Sequence, residues 1–218
     1  HGTVQGIGFR PFVFRLAQEL SLGGWIANTP QGTLLELEGP QKNLHAFQKR
    51  IMAEIPLTGN IQAMTSTHIP VIGQRSFVIH PSQGDDQTQS VMSPDLATCE
   101  DCLQDLKNPQ SRRYRYPFTT CTQCGPRFSI ALRLPYDRLN TTMHQFLFCD
   151  DCQREYDDPF DRRFHAEAIA CPSCGPQVEL WNQEGTLLAQ REEGLQAASE
   201  IVRHGGILAV KGLGGFQL

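Results

Sequence analysis

The sequence predicts an α+β protein built from consecutive units: a small helix-and-sheet sandwich, a duplicated cysteine module and the opening of an α/β unit. Three observations predict it. The first 80 residues order as helix, strand, strand, helix, strand, strand, a pattern that buries two helices on one sheet face. All eight cysteines then fall in four Cys-x-x-Cys pairs, Cys99/Cys102, Cys121/Cys124, Cys149/Cys152 and Cys171/Cys174. The last stretch sets a helix before an apolar strand and a glycine-rich turn. At 218 residues the chain is long for one domain.

Between Pro11 and Leu20 the residues Phe12, Val13, Leu16, Ala17 and Leu20 form an apolar helical stripe, with Gly23 as its stop. Trp25 to Asn28 reads as a strand, Thr29-Pro30-Gln31-Gly32 as a turn, and Thr33 to Glu38 as a strand with Leu35 and Leu37 on one face. A second helix opens near Pro40 and carries Leu44, Phe47 and Ile51, and further strands follow around Ile61–His68 and Phe77–Ile79. The unit closes at residue 80. Residues 81–98 are polar and turn-rich, with Gly84-Asp85-Asp86 and Ser93-Pro94, and read as a linker.

The cysteine pairs are separated by 18, 24 and 18 residues, so each cysteine of the first half has a twin 50 positions later. Two pairs about 18 apart are the spacing of a four-cysteine zinc site, and here it occurs twice, in repeats 99–126 and 149–176 of a module spanning 99–176. At the same offset the repeats share Asp101/Asp151, Pro109/Pro159, Arg112/Arg162, Arg113/Arg163, Gly125/Gly175 and Pro126/Pro176, which marks a duplication. Disulfides compete as a reading, but with no export signal the pairs favour a reducing compartment and metal. Cys124-Gly125 and Cys174-Gly175 resemble zinc knuckles, whose glycine lets backbone N–H groups turn onto sulfur. Four thiolates leave tetrahedral zinc no open position, so two structural zinc ions are expected and the histidines are not ligands. One zinc per repeat closes the shorter loops; an interleaved pairing satisfies the same spacing.

From residue 177 a new unit begins. Leu195, Ala198 and Val202 mark a helix stopped by Gly205-Gly206, Ile207 to Lys211 reads as a buried-type strand, and the chain ends at Leu218 as if cut within that unit. The mean hydropathy is −0.34 and the net charge −4. No apolar run has membrane-span length and no signal peptide opens the chain, so a cytoplasmic protein is expected, with no membrane partner. Eight thiolates on two zinc ions add negative charge, which disfavours nucleic acid. The run Arg112-Arg113-Tyr114-Arg115-Tyr116 therefore reads as a surface balancing nearby carboxylates.

Val4-Gln5-Gly6-Ile7-Gly8-Phe9-Arg10-Pro11 is the sharper chemical signal. A glycine-rich loop entering a helix aims backbone N–H groups and the positive dipole end at one point. Arg10 adds a fork suited to two phosphate oxygens. A tight turn with a surface arginine fits the same residues equally well, and Asn28 before its turn reads equally as turn chemistry.

Val4-Gln5-Gly6-x-x-Phe9-Arg10, Gly24-Trp25-Ile26-x-Asn28-Thr29-x-x-Gly32 and Glu38-Gly39-Pro40 together resemble the acylphosphatase signature over residues 1 to about 80. That resemblance implies a ferredoxin-like βαββαβ domain whose first strand is truncated here. It implies phosphate binding by Gly6, Ile7, Gly8, Phe9 and Arg10, and a water oriented by Asn28. With Leu134-Pro135-Tyr136-Asp137-Arg138 and Asp161-Arg162-Arg163-Phe164-His165-Ala166, the whole chain resembles the N-terminal part of the HypF carbamoyltransferases of [NiFe]-hydrogenase maturation. The segment Ala209 to Phe216 resembles the entry to that family's YrdC-like nucleotide-binding domain, with Lys211 as a nucleotide-phosphate contact. The resemblance implies carbamoyl phosphate and ATP as substrates and a HypE-type maturation protein as acceptor. The competing readings are a non-catalytic zinc-scaffolded module that binds acyl phosphate without turnover and, third, a chaperone-like cysteine module.

Overall fold

Gly8 sits in the left-handed conformation at φ 75° and caps the first helix, which therefore starts at Phe9, two residues ahead of the predicted stripe. The structure, a computed structural model, describes residues 2–29, 32–56, 59–81, 93–213 and 215–218. The corner Pro30-Gln31, the segment Gly84-Asp85-Asp86 and Gly214 lie outside the described residues. The first unit runs β1 (Gly2–Thr3), α1 (Phe9–Glu19), β2 (Gly23–Thr29), β3 (Gly32–Glu38), α2 (Gln41–Ala53), β4 (Asn60–Ile61) and β5 (Phe77–Ile79).

β2 pairs antiparallel with β3, placing Ile26 opposite Leu35, and parallel with β5, placing Trp25 opposite Val78; β1 pairs antiparallel with β4. One apolar core joins Val13, Leu16 and Ala17 of α1, Phe47 and Ile51 of α2, Ile26 of β2 and Phe77 of β5, as two helices over one sheet require. The strand expected over Ile61–His68 is corrected to Asn60–Ile61. Beyond it Met64, Ile69, Val71 and Ile72 are exposed. The backbone there is satisfied differently: the Glu38 carboxylate accepts from the N–H groups of Ile72, Gly73 and Gln74 at 3.0–3.2 Å.

In the cysteine module, α3 (Glu100–Lys107) and α4 (Asp150–Asp157) are twin eight-residue helices, each following a cysteine N-cap and carrying two acids in its first turn, where the helix dipole favours them. The repeats brace each other reciprocally. Arg112 and Arg113 of the first repeat bind Glu155 of α4, and Arg112 Nη2 also donates to Cys152 Sγ at 3.2 Å. Arg162 and Arg163 of the second repeat bind Asp105 of α3, and Arg162 Nη1 donates to Cys102 Sγ at 2.9 Å. Arg113 Nε reaches the Ala170 carbonyl and Arg163 Nε the Thr120 carbonyl. The arginines balance carboxylates as expected, but Arg113 is 1% exposed and no surface residue. Arg115 and His165, 50 apart, share a left-handed φ of 57° and 53°.

The third unit contains β6 (Glu179–Trp181), β7 (Leu187–Gln190), α5 (Arg191–Arg203), β8 (Val210–Gly212) and β9 (Gly215–Gln217). The hairpin β6–β7 was not anticipated. Its turn is held by Asn182, whose side-chain Oδ1 accepts from the Thr186 N–H at 2.7 Å and whose own N–H donates to the Thr186 carbonyl at 2.9 Å. The Ile207–Lys211 strand is corrected to Val210–Gly212 and is exposed, with Ile207 at 83% and Val210 at 58%. Among the described residues it pairs only with β9, and no described element covers its apolar side chains. No helix among the described residues is long and apolar enough to cross a membrane.

Candidate functional site

Gln5 fixes the glycine loop. Its buried amide donates to the carbonyls of Thr29 at 3.2 Å and Gly32 at 3.4 Å, and its Oε1 accepts from the Tyr136 N–H at 3.3 Å. Ser93, within the expected linker, donates to the Gln5 carbonyl at 2.7 Å. Gly6 and Gly8 both take positive φ, 74° and 75°, and the cysteine module packs directly on them. A Cβ on Gly8 would lie 3.0 Å from Thr122 Cβ, and one on Gly6 3.3 Å from Arg127 Cδ. The side chains of Ile7 and Phe9 are buried in the first core, so these residues can meet a ligand only through backbone. The loop amides precede the first complete turn of α1, where helical N–H groups lack intrahelical partners.

Arg10 and Asn28 reach the same small cavity, of about 30 Å³, lined also by Gly6 and Gly8. Asn28 is 2% exposed and its Oδ1 accepts from the Thr33 hydroxyl at 3.2 Å. Val4, Phe9 and Pro11 complete the first unit's share, and the cysteine module contributes Thr122, Arg127, Tyr136, His165, Ala166 and Glu167. Arg127 ties the two units together, its Nε donating to the Gly6 carbonyl and its other nitrogens to the carbonyls of Cys121, Thr122, Cys124 and Pro126.

The guanidinium of Arg10 is already engaged. It donates to Asp137 Oδ1 at 2.8 Å and to Glu167 Oε1 at 2.9 Å. Glu167 Oε2 accepts from the Tyr156 hydroxyl and the Arg138 N–H, each at 3.0 Å. Burial would lower the Arg10 pKa, but Glu167 and Asp137 outweigh it and raise it, so Arg10 is a permanent cation. Complete burial pushes the Glu167 carboxyl up to about 7, with Arg10 pulling the other way and Asp137 adding to the rise. The His165 imidazole is pushed down to about 4 by burial and by Arg10, and its Nδ1 is buried with no hydrogen-bond partner among the described residues.

A pH prediction follows from Glu167. An acid raised in the folded state binds its proton more tightly there than in the unfolded chain. Its contribution is present at low pH and lost as pH rises through about 7. From about pH 5 to about pH 8 the stability of the parent should therefore fall relative to Glu167→Gln, read as thermal midpoints; a pH-independent gap contradicts the assignment.

The cysteines group within repeats, not across them: Cys99, Cys102, Cys121 and Cys124 form one set and Cys149, Cys152, Cys171 and Cys174 the other, the sulfurs of each within 4.8 Å of one another. Neighbouring sulfurs stand 3.6–3.8 Å apart. A tetrahedron of sulfurs ~2.3 Å from a central ion has edges of about 3.8 Å, so both sets fit a tetrahedral metal ion. Backbone N–H groups turn onto sulfur in both knuckles, as expected. The N–H groups aimed at sulfur belong to Gln123 and Ser173, at 3.4 Å, while the Gly125 N–H bonds the Leu96 carbonyl and the Gly175 N–H the Cys171 carbonyl.

Lys211 is exposed, its ammonium 5.9 Å from the Phe216 ring centroid, and does not line this cavity. The sequence reading brought Arg10, Asn28 and the loop together but missed Arg127, Tyr136, Asp137, His165 and Glu167. One signal was available: the repeats match at the clamping arginines but differ at Arg115/His165, Tyr116/Ala166 and Pro117/Glu167.

Residues 1–79 match the family described as Acylphosphatase, and residues 98–131 and 148–181 each match the HypF finger. The carbamoyltransferase HypF of Synechocystis sp. is 51% identical over 217 residues, covering 100% of this chain and 28% of the relative. The carbamoyltransferase HypF2 of Cupriavidus necator is 44% identical over 219 residues, with 100% and 27% covered. An acylphosphatase of Pediococcus pentosaceus is 32% identical over 79 residues, 36% of this chain and 88% of the relative. A crystal structure of full-length HypF in the phosphate- and nucleotide-bound form aligns with a TM-score of 0.86 at 41% identity, covering 99% of this chain and 28% of that one. Thus the chain spans little more than a quarter of the full-length relatives it resembles.

Proposed function

The chain matches the N-terminal part of the HypF carbamoyltransferase family, and from that premise we propose that its first unit binds carbamoyl phosphate and hydrolyses it to carbamate and phosphate. The observation that carries this is the convergence of Arg10, Asn28 and the glycine loop on one cavity. The phosphoryl group would take the Arg10 guanidinium and the loop amides between Gly6 and Phe9. The Asn28 amide, held by Thr33, would orient the attacking water. The acceleration comes from positioning and charge neutralisation, which phosphoryl transfer demands above covalent chemistry.

Both cysteine sets would hold zinc. Four thiolates close its coordination sphere, so the ions act structurally. In the complete protein, ATP would activate the released carbamate as an adenylate in a YrdC-like unit that begins near residue 177, with Lys211 as a phosphate contact. The carbamoyl group would then pass to the C-terminal cysteine of a HypE-type protein in the cytoplasm, the step that leads to the cyanide ligand of [NiFe]-hydrogenase.

One observation favours the alternative in which the unit binds acyl phosphate without turnover: Arg10 is already held by Asp137 and Glu167. Phosphate release from carbamoyl phosphate separates the two. Arg10→Ala should lower kcat/KM by about 10²–10³, and Asn28→Ala should lower kcat more than it raises KM. Equal rates for the parent and Arg10→Ala would sink the catalytic reading. Arg10-dependent phosphate binding without release would establish the alternative.

A further inference from the structure

The cavity wall facing Arg10 is electrostatically wrong for phosphate alone. Glu167 lines it as a fully buried acid, and its ionised form beside a phosphate dianion is repulsive unless it faces another part of the ligand. The duplication shows that this acid is a departure from the module's brace. Both repeats keep the clamping arginines and their acidic partners, Asp105 and Glu155. At the positions of His165 and Glu167 the first repeat carries Arg115 and Pro117, and Arg115 pairs away from the cavity with Glu192. The second repeat differs from its twin where it meets the acyl-phosphate site.

Among acyl phosphates, carbamoyl phosphate differs from acetyl phosphate by an amino group in place of a methyl. That group supplies N–H donors beside the phosphoryl group. Glu167 Oε1 takes one bond from Arg10 at 2.9 Å, and a carboxylate oxygen has capacity for a second. Its other oxygen is fixed by Tyr156 and Arg138, so the acceptor is pre-positioned. A methyl in the same place would leave a desolvated acceptor unpaired, a strong basis for rejection.

We propose that Glu167 is a specificity-determining residue, contributed by the second finger, whose carboxylate accepts a hydrogen bond from the amino group of a carbamoyl substrate bound at Arg10. This inference rests on the acyl-phosphate reading of the site.

The test measures binding by calorimetry and phosphate release, for carbamoyl phosphate and acetyl phosphate, on the metal-loaded chain and its variants. The parent should prefer carbamoyl phosphate by about tenfold or more. Glu167→Ala should bring that ratio close to one, while Glu167→Gln, which keeps an acceptor oxygen, should retain part of it. Asp137→Asn touches Arg10 without lining the cavity, and should change both ligands alike and leave the ratio in place. A ratio unchanged in Glu167→Ala, or a parent without preference, would overturn the proposal. An equal loss for both ligands in Glu167→Ala would overturn it too, by reducing Glu167 to a support for Arg10. Inorganic phosphate, which has no acyl part, is the separate control: binding that survives Arg10→Ala would refute the site itself, whatever the ratio shows. Metal content and circular dichroism of each variant establish that it is folded.

Discussion

Stripping the metal should unfold both cysteine repeats together. The helices α3 and α4 have eight residues each, too short to stand alone in water. The apolar cores at the helices are built largely from the ligands: one consists of Cys102, Cys121 and Cys124, the other of Cys152, Cys171, Ala166 and Ile169 with Phe148 and Tyr156 against it. The larger cluster around Tyr116, Ile130, Tyr136 and Met143 takes nothing from either helix. Metal ligation therefore does at the helices what an apolar core does elsewhere, and in zinc-finger peptides structural zinc supplies roughly 10–16 kcal/mol of apparent folding free energy. The reciprocal clamps couple the repeats, since Arg112 donates to Cys152 Sγ and Arg162 to Cys102 Sγ. Chelation should abolish the helical signal of the module in one transition, and Cys124→Ser should lower metal content by more than the ion it ligates. A variant that loses one ion while its sister repeat keeps full metal and full helicity would show that the repeats are independent.

Arg113→Met should be the most damaging single substitution outside the cysteines. Arg113 is buried, its Nε on the Ala170 carbonyl and its terminal nitrogens on Glu155 at 2.9 and 2.5 Å. Burial alone would raise the Glu155 pKa, but its bonds to Arg113 and Arg112 outweigh that and bring it down to about 2. Removing Arg113 leaves a carboxylate half-compensated in a low-dielectric site, a loss of about 3–5 kcal/mol and a fall in Tm on the order of 10 °C. Changing Arg113 and Glu155 together to apolar residues should recover part of it, since no charge is then stranded. Arg50 makes equally short bonds to Glu54 and Glu19, but at the surface, and Arg50→Met should leave Tm unchanged. Equal effects at Arg113 and Arg50 would refute the distinction.

What the sequence could disclose was local. The cysteine spacing marks the fingers because ligation within a repeat needs only short loops, and helix α2 and strand β5 follow from periodicity over a few turns. Arg10 could be read as a candidate phosphate ligand because its loop and helix N-terminus are contiguous with it. Its actual partners were not, because Asp137 and Glu167 lie 127 and 157 positions away and carry no local pattern that distinguishes them from solvated acids. Arg127 was hidden likewise: it reads as one basic residue after a knuckle, and only the packing of the module on Gly6 gives it a role. The exposed strand at Val210 failed for the opposite reason, since an apolar run predicts burial only where something covers it.

The central claim is that the finger module completes the acyl-phosphate site, through Arg127 on Gly6, Tyr136 on Gln5, and Asp137 and Glu167 on Arg10. Amide hydrogen exchange with and without bound metal tests it most directly. Metal removal should strip protection from the segment Gln5–Arg10 as well as from the fingers, while helix α2, whose Phe47 and Ile51 are buried in the first unit's core, keeps its protection. Protection of Gln5–Arg10 that survives the loss of metal would mean that the loop holds its shape alone, and would contradict the account.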